Sequence, residues 1–170
     1  FTGSLIAGNL YDTLVAFEGN DLKTIRPRLA QSWTVSNLQG GGHRLTFKLK
    51  KATFSTGRPV TAADVVYSYD RVIQLGTPSS FLFTDVANMK VGSTKAADPQ
   101  TVTIDIPKTA NPNIVLALLT FNVGGVIDSA EAKAHAQSGD YGSKWLTDHS
   151  AGSGPFTLNR WDRSAQVVLD

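Results

Sequence analysis

The sequence predicts an α+β fold, a mainly antiparallel β-sheet with helices packed against it. Residues 32–36 and 44–50 alternate apolar and polar side chains on either side of a glycine-rich tip, which is typical of an antiparallel hairpin. A strongly amphipathic helix is predicted at 62–75. Hairpins and helices are interspersed rather than arranged in strict strand–helix alternation, which favours α+β over a parallel α/β sheet.

The first third of the chain predicts one helix and one hairpin. Apolar residues recur at helical spacing over 4–14, and 15–18 is a short extended stretch before a turn. In the hairpin, the alternation turns one set of side chains toward the core and the charged set outward. The inward set consists of Trp33, Val35, Leu45, Phe47 and Leu49.

The helix at 62–75 has the clearest start and stop signals in the chain. Thr61 is a favourable N-cap, and Asp64 three residues later gives a variant of the capping box. Gly76 and Pro78 end the helix. Its apolar stripe consists of Val65, Tyr69, Val72 and Ile73.

The second half predicts another hairpin, from 89–94 and 101–106, and then two short helices. One helix covers 112–119, and the other opens at Asp128 and is closed by Gly139.

Shorter elements follow toward the end of the chain. They are a further helical stretch at 143–149, a strand at 156–161 and a last strand at 166–169. Nothing after this last strand can pair with it, so we expect its apolar residues to be bare and to favour self-association.

Composition excludes several classes of protein. The chain has 170 residues, which suits a single domain. It has no cysteine, so disulfides, iron–sulfur clusters and cysteine-based zinc sites are excluded. The 16 basic and 14 acidic residues are too balanced to indicate nucleic acid as a partner. No apolar run is long enough to predict a transmembrane helix.

No pattern predicts catalysis, a metal or a cofactor. His43, His135 and His149 lack metal-ligand spacing, and there is no Gly-x-Ser-x-Gly elbow and no phosphate-binding loop. By elimination the chain is expected to be a binding module and not an enzyme. Two alternatives stay open: a serine hydrolase that uses one of the three histidines, and a self-contained interaction domain.

Several motifs together resemble a known family. They are NLYDTLV at 9–15, RLAQSW at 28–33, LTFKLKK at 45–51, FSTGRPVTAADVVYS at 54–68 and GSGPF at 152–156. In this order they are similar to the signature of family 5 extracellular solute-binding proteins, the peptide-, nickel- and oligosaccharide-binding receptors of ABC importers. The five-residue tip at 38–42 departs from the simple Asp-Gly turn that is usual in this family.

The resemblance implies part of lobe one of a two-lobed periplasmic-binding-protein fold. Residues 1–14 would form the opening helix of lobe one, 15–150 a small inserted subdomain with connecting helices, and 151–170 the returning strands. Because members of the family are much longer, we expect an N-terminal fragment without the second lobe. The expected location is periplasmic or extracellular, with a lipid anchor upstream left open.

The resemblance also implies the function and the ligand cleft. A solute, with a peptide favoured over nickel or an oligosaccharide, would be enclosed between the two lobes and delivered to an ABC permease. The stretches expected to face the cleft are the start of the chain, the segment around 81–83 and the loop at 121–125. Ordinary core packing for the second stretch, and a plain connection for the third, stay open. The candidate residues are Phe1, Ser4, Phe81, Phe83, Phe121, Asn122 and Gly124.

Overall fold

The computed structural model describes residues 2–162 and 165–170. Helices and strands are interspersed along the chain, as the sequence predicts. The helices are α1 (Thr2–Leu10), α2 (Ala62–Leu75), α3 (Pro112–Leu118) and α4 (Ser129–Ala134). The strands are β1 (Val15–Glu18), β2 (Asp21–Pro27), β3 (Ala30–Asn37), β4 (His43–Leu49), β5 (Thr94–Asp98), β6 (Thr101–Ile106), β7 (Leu158–Asp162) and β8 (Gln166–Leu169).

The main sheet has four antiparallel strands in the order β3-β4-β6-β5. The predicted first hairpin is confirmed, with Trp33 opposite Phe47 in the pairing of β3 with β4, but Val35, expected to face the core, is 43% exposed near the tip. Leu45 lies opposite Ile104 where β4 pairs with β6. Because these residues share one face, the sheet presents a continuous apolar surface to the helices.

Helix α2 packs on this surface through the predicted stripe. Val65 and Tyr69 are completely buried, and Val72 packs against the same core. The Thr61 backbone N–H and hydroxyl both donate to Asp64 Oδ2, at 3.0 and 2.7 Å. Gly76 ends the helix in the left-handed conformation at φ 57°. The predicted N-terminal and C-terminal signals of α2 are therefore confirmed.

Two smaller hairpins lie outside the main sheet, and one of them corrects a prediction. β8 is not an unpaired strand, because it pairs antiparallel with β7, with Trp161 opposite Val167. The apolar residues of β8 are half-buried rather than bare. The other hairpin pairs β1 with β2, a strand that the sequence analysis did not predict.

Several predicted boundaries are also wrong. The strand predicted at 89–94 begins only at Thr94, because a turn closed by Ser93 N–H and Lys90 O, at 2.8 Å, precedes it. The helix expected to run to Gly139 ends at Ala134, and 143–149 contains only a 3₁₀ turn at Trp145–Thr147. Helix α1 ends at Leu10 rather than at residue 14.

The loop at 151–155 is hydrogen-bonded to the end of α1 through its backbone. The Gly154 N–H donates to the Leu10 carbonyl at 3.0 Å, and the Ser55 N–H donates to the Gly152 carbonyl at 2.9 Å. A Cβ on Gly152 would overlap the Leu10 carbonyl oxygen. Glycine is therefore required here by close approach of two backbones.

Within the described residues, no helix combines the length and the apolar character needed to cross a membrane.

Candidate functional site

The segment Phe121–Gly125 presents an aromatic ring and an amide at the surface on a fixed backbone. Phe121 is 49% exposed, Asn122 is exposed, and Gly124 is buried. The Gly124 N–H donates to Phe121 O at 2.8 Å, and the Gly125 N–H donates to Asn122 O at 3.0 Å. This tight 3₁₀ turn fixes the backbone that carries the two exposed side chains, which suits a binding surface.

The two glycines let this turn lie close to the core. A Cβ on Gly124 would stand 2.6 Å from the Leu119 carbonyl oxygen, and one on Gly125 would stand 3.2 Å from Tyr11 Cβ. The Tyr69 hydroxyl donates to the Gly124 carbonyl at 3.4 Å from inside the core. The segment Phe121–Gly125 is therefore anchored from beneath by α2.

Among the described residues, the walls of two depressions include part of this segment. The first, of about 390 Å³, lies between Phe121–Gly125 and the turn that contains Ser79 and Leu82. Phe81, in the same turn, is 50% exposed. The structure thus places Phe121 and Asn122 across this depression from the segment that carries Phe81.

The second depression is a cavity of about 230 Å³ between α1, α2 and residues 122–127. Tyr11 and Arg71 line it together with Asn122. We call it the Arg71 cavity. Helix α1 reaches the same segment, since a Cβ on Gly8 would stand 3.8 Å from Asn122 Oδ1.

The remaining candidates have different positions. Phe83 is completely buried, with its ring edge-on to Tyr69 at a centroid distance of 5.1 Å, so the structure supports the core alternative for this residue. Phe1 lies outside the described residues. Ser4 lies in α1, but its side chain is outside the described part of the chain.

Sequence reasoning missed Arg71 and Tyr11. Arg71 is half-buried, and its Nε donates to the Tyr141 carbonyl at 2.8 Å. Burial lowers the pKa of the Arg71 guanidinium and raises the pKa of the Tyr11 phenol. The available signal was the position of Arg71 directly before Val72, a residue of the apolar stripe of α2. A side chain this close to the stripe is not expected to be fully surrounded by water.

Comparison with known proteins identifies the family. A family model described as "Bacterial extracellular solute-binding proteins, family 5 Middle" matches residues 24–170. The chain belongs to this family. The "Probable D,D-dipeptide-binding periplasmic protein DdpA" of Escherichia coli (strain K12) is 34% identical over 142 residues, which cover 83% of this chain and 25% of that protein.

Solved structures of solute-binding proteins share the fold. The substrate-binding domain of an oligopeptide ABC transporter from Bacillus anthracis str. Ames matches with a TM-score of 0.78 and 25% identity, covering 99% of this chain and 33% of that one. The PBP AgaA in complex with agropinic acid, from A. tumefacien R10, matches with a TM-score of 0.77 and 20% identity, covering 99% and 31%. The latter likeness shows the fold alone.

This family 5 chain spans about a quarter to a third of the length of these three proteins.

Hydrogen bonds within the family signature connect motifs that are far apart in the sequence. The Asp12 carboxylate accepts from Arg28 Nε at 2.5 Å and from Ser153 Oγ at 3.0 Å. These residues belong to three different motifs, NLYDTLV, RLAQSW and GSGPF. At these positions the motifs of the family therefore have a structural role, because hydrogen bonds connect them to one another.

A second connection is a set of hydrogen bonds between the buried carboxylate of Asp128 and the FSTGRPVTAAD motif. Asp128 is completely buried and accepts from Arg58 Nη1 and, at 2.6 Å, from Thr56 Oγ1. Asp128 also caps α4 by accepting from the Ala130 N–H at 2.9 Å. Burial by itself would raise the pKa of Asp128, but these hydrogen bonds and the Arg58 charge outweigh it, and the pKa is lowered.

The three histidines contact groups other than serine hydroxyls. His43 Nδ1 lies 3.1 Å from Asn37 Oδ1, and His135 Nε2 lies 3.6 Å from Glu131 Oε2. His149 Nδ1 lies 3.0 Å from the Trp145 carbonyl oxygen. The hydrolase alternative needs a serine–histidine–carboxylate chain, and these contacts do not form one.

Proposed function

We propose that this chain forms part of lobe one of the substrate-binding protein of an ABC importer, and that the solute is a short peptide. The observation that carries the proposal is the family match over residues 24–170. The dipeptide-binding name of the Escherichia coli relative, at 34% identity, supports a peptide rather than nickel or a sugar. Residues 1–14 and 151–170 would belong to the body of lobe one, and 15–150 to its inserted subdomain.

The exposed surface of Phe121–Gly125 supports the position of the binding site. An aromatic face and a side-chain amide are groups with which a peptide can stack and form hydrogen bonds. Phe81 is 50% exposed in the neighbouring turn, whose residues Ser79 and Leu82 line the depression beside Phe121. In this proposal Phe121, Asn122 and Phe81 contact the solute, while Gly124 and Phe83 hold the surface in place.

The mechanism we propose is capture by closure. A second lobe closes over the solute, and the binding free energy shifts the open–closed equilibrium toward the closed form. The permease then recognises that form. No covalent bond changes, so the protein acts as a carrier and not as an enzyme. Capture takes place outside the cytoplasm, in the periplasm or its equivalent.

Calorimetry tests this proposal with the longest encoded protein, that is, the product of the complete reading frame that contains these residues. The probes are D-Ala-D-Ala, L-Ala-L-Ala, nickel chloride and maltotriose, each titrated separately. We expect micromolar binding of at least one dipeptide and no saturable binding of nickel or the sugar. Saturable binding of nickel or maltotriose without any dipeptide binding contradicts the peptide assignment.

Variants of the surface test the position of the site. Asn122→Ala and Phe121→Ala each remove a group proposed to contact the solute, so we expect dipeptide affinity to fall about tenfold in each, equivalent to about 1.4 kcal/mol. Ile114→Ala is the matched control, because Ile114 is also 49% exposed but lines neither depression. Equal affinity in all three variants would place the site elsewhere.

A further inference from the structure

The Arg71 cavity contains a positively charged group whose hydrogen bonds are incomplete. Arg71 Nε donates to the Tyr141 carbonyl at 2.8 Å, and Nη2 donates to Ser143 Oγ at 2.9 Å. Nη1 has no hydrogen-bond partner among residues 2–162 and 165–170. Two neutral oxygens thus accept from a guanidinium that is half-buried, and one of its nitrogens is left over.

No carboxylate in the described part of the chain forms an ion pair with Arg71. Asp140 acts on it electrostatically from a longer distance. The Asp140 oxygens are occupied by backbone N–H groups, with Gln137 at 2.8 Å and Lys144 at 3.1 Å. Burial is the largest cause of the lowered pKa of Arg71. An added anion would stabilise it.

Tyr11 places a second donor in the same cavity. The Tyr11 hydroxyl carries one proton that it can donate to an acceptor. Burial raises the pKa of Tyr11, so the phenol stays protonated at neutral pH. Tyr11 and Arg71 both line this cavity, so the two donors lie near each other.

The rest of the cavity limits the size and the character of what it holds. Its walls include Ala7, Val72, Ile127 and Leu146, which are apolar. Its volume of about 230 Å³ is below the range of roughly 300–1,000 Å³ that whole small-molecule ligands occupy. The cavity therefore suits one end of a molecule, an anionic group on a short apolar stem.

We propose that the Arg71 cavity binds a carboxylate of the solute, which accepts hydrogen bonds from Arg71 Nη1 and the Tyr11 hydroxyl. A charge-assisted bond to a guanidinium is among the stronger hydrogen bonds in proteins. The inference rests on the proposed function for its solute, because Asn122 lines both this cavity and the neighbouring depression. One solute can then contact the exposed surface of Phe121–Gly125 and place its carboxylate in the cavity.

A first experiment tests the cavity without any peptide. The Arg71 Nε–H resonance is followed by NMR in the longest encoded protein while sodium butyrate is added, with butyramide as the neutral, isosteric probe. We expect a saturable shift with butyrate, no saturation with butyramide, and loss of the butyrate response in Tyr11→Phe. Arg26→Gln, which removes an exposed arginine elsewhere, keeps the response. A wild-type protein that responds equally to both probes, or to neither, overturns the carboxylate site.

A second experiment connects the cavity to the solute and distinguishes the two sources of a carboxylate. Calorimetry compares L-Ala-L-Ala with L-Ala-L-Ala-amide for a terminal carboxylate, and L-Ala-L-Glu-amide with L-Ala-L-Gln-amide for a side-chain carboxylate. We expect at least a tenfold preference for the acid in one pair, reduced to about threefold or less in Tyr11→Phe and in Arg71→Gln.

Arg71 also forms hydrogen bonds with Tyr141 and Ser143, so thermal unfolding must first show that Arg71→Gln is folded. If it is not folded, the test relies on Tyr11→Phe. Peptide binding without preference for the acid in either pair overturns the inference and leaves the proposed function intact. If no peptide binds but the butyrate response is present, the peptide assignment fails and the carboxylate site stands.

Discussion

At the scale of single residues, Tyr69 joins the core to the candidate surface. Its ring is completely buried against Phe83, and its hydroxyl donates to the Gly124 carbonyl at the base of Phe121–Gly125. One side chain therefore contributes both to folding and to the position of the surface. Truncation and removal of the hydroxyl separate these two contributions.

Tyr69→Ala is expected to lower the free energy of unfolding by about 3–5 kcal/mol, because it leaves a large cavity beneath the sheet. Tyr69→Phe keeps the ring and removes one long hydrogen bond, so we expect a loss of about 1 kcal/mol. Urea denaturation followed by circular dichroism measures both. Similar losses in the two variants would contradict the cavity as the dominant cause.

Asp128 gives the fold a defined sensitivity to acid. Its pKa in the folded protein is lowered, so the stability it contributes is present above the pKa of an unfolded aspartate, about 4, and is lost as the pH falls further. We expect Asp128→Asn to cost about 2 kcal/mol at pH 7, because Arg58 is partly exposed and screened.

The measurement is the free energy of unfolding between pH 7 and pH 2.5. The wild-type protein should lose more stability below pH 4 than Asp128→Asn does. Asp105, whose pKa is also lowered, chiefly by its hydrogen bond with Arg44, remains in both proteins, so the difference isolates Asp128. Parallel pH profiles for the two proteins would rule out this role.

At the scale of elements, the contact between α1 and the loop at 151–155 depends on glycine. Gly152→Ala would force a Cβ into the Leu10 carbonyl, so we expect a loss of about 2–3 kcal/mol and displacement of α1. Gly8→Ala is the matched control: it lies inside α1 with ordinary contacts, and alanine should stabilise the helix by about 0.5–1 kcal/mol. Thermal unfolding of both variants measures these changes. A Gly152→Ala variant as stable as the wild-type protein would disprove the close approach of Gly152 to the Leu10 carbonyl.

The elements that the sequence predicts correctly are those whose own pattern determines them. α2 has a cap, a stripe and a terminating glycine within its own sequence, and β4 alternates cleanly. β2 is mostly exposed and depends on its pairing with β1, so its residues carry little apolar alternation. The turn Leu82–Val86 is π-helical, and its periodicity matches neither a helix nor a strand.

The candidate site is less predictable than the fold for a physical reason. Phe81 and Phe83 are two residues apart with the same side chain, yet one is half exposed and the other is completely buried. Only the path of the backbone between them decides which one reaches the surface. Arg71 likewise is held by Tyr141 and Ser143, which are 70 and 72 residues away and cannot be paired with it by local spacing.

At the scale of the whole molecule, the proposed function makes the described surface one wall of a binding site. Phe81 and Phe121 are exposed, and the Arg71 cavity and the neighbouring depression share Asn122 and Val123 in their walls. In two-lobed receptors the ligand is buried from both sides, and small-molecule sites enclose roughly 70–90% of the ligand surface. A single wall cannot exclude water in this way.

Residues 1–170 produced alone are therefore expected to bind any dipeptide at least about a thousandfold more weakly than the longest encoded protein, a difference of about 4 kcal/mol. The loss comes from the contacts and the closure that a second lobe supplies. Calorimetry on both proteins with the dipeptide that the longer one binds best is the measurement, after circular dichroism has shown that the shorter protein is folded. Equal affinity would mean that the site lies wholly within these 170 residues, and closure by a second lobe would then have no part in capture.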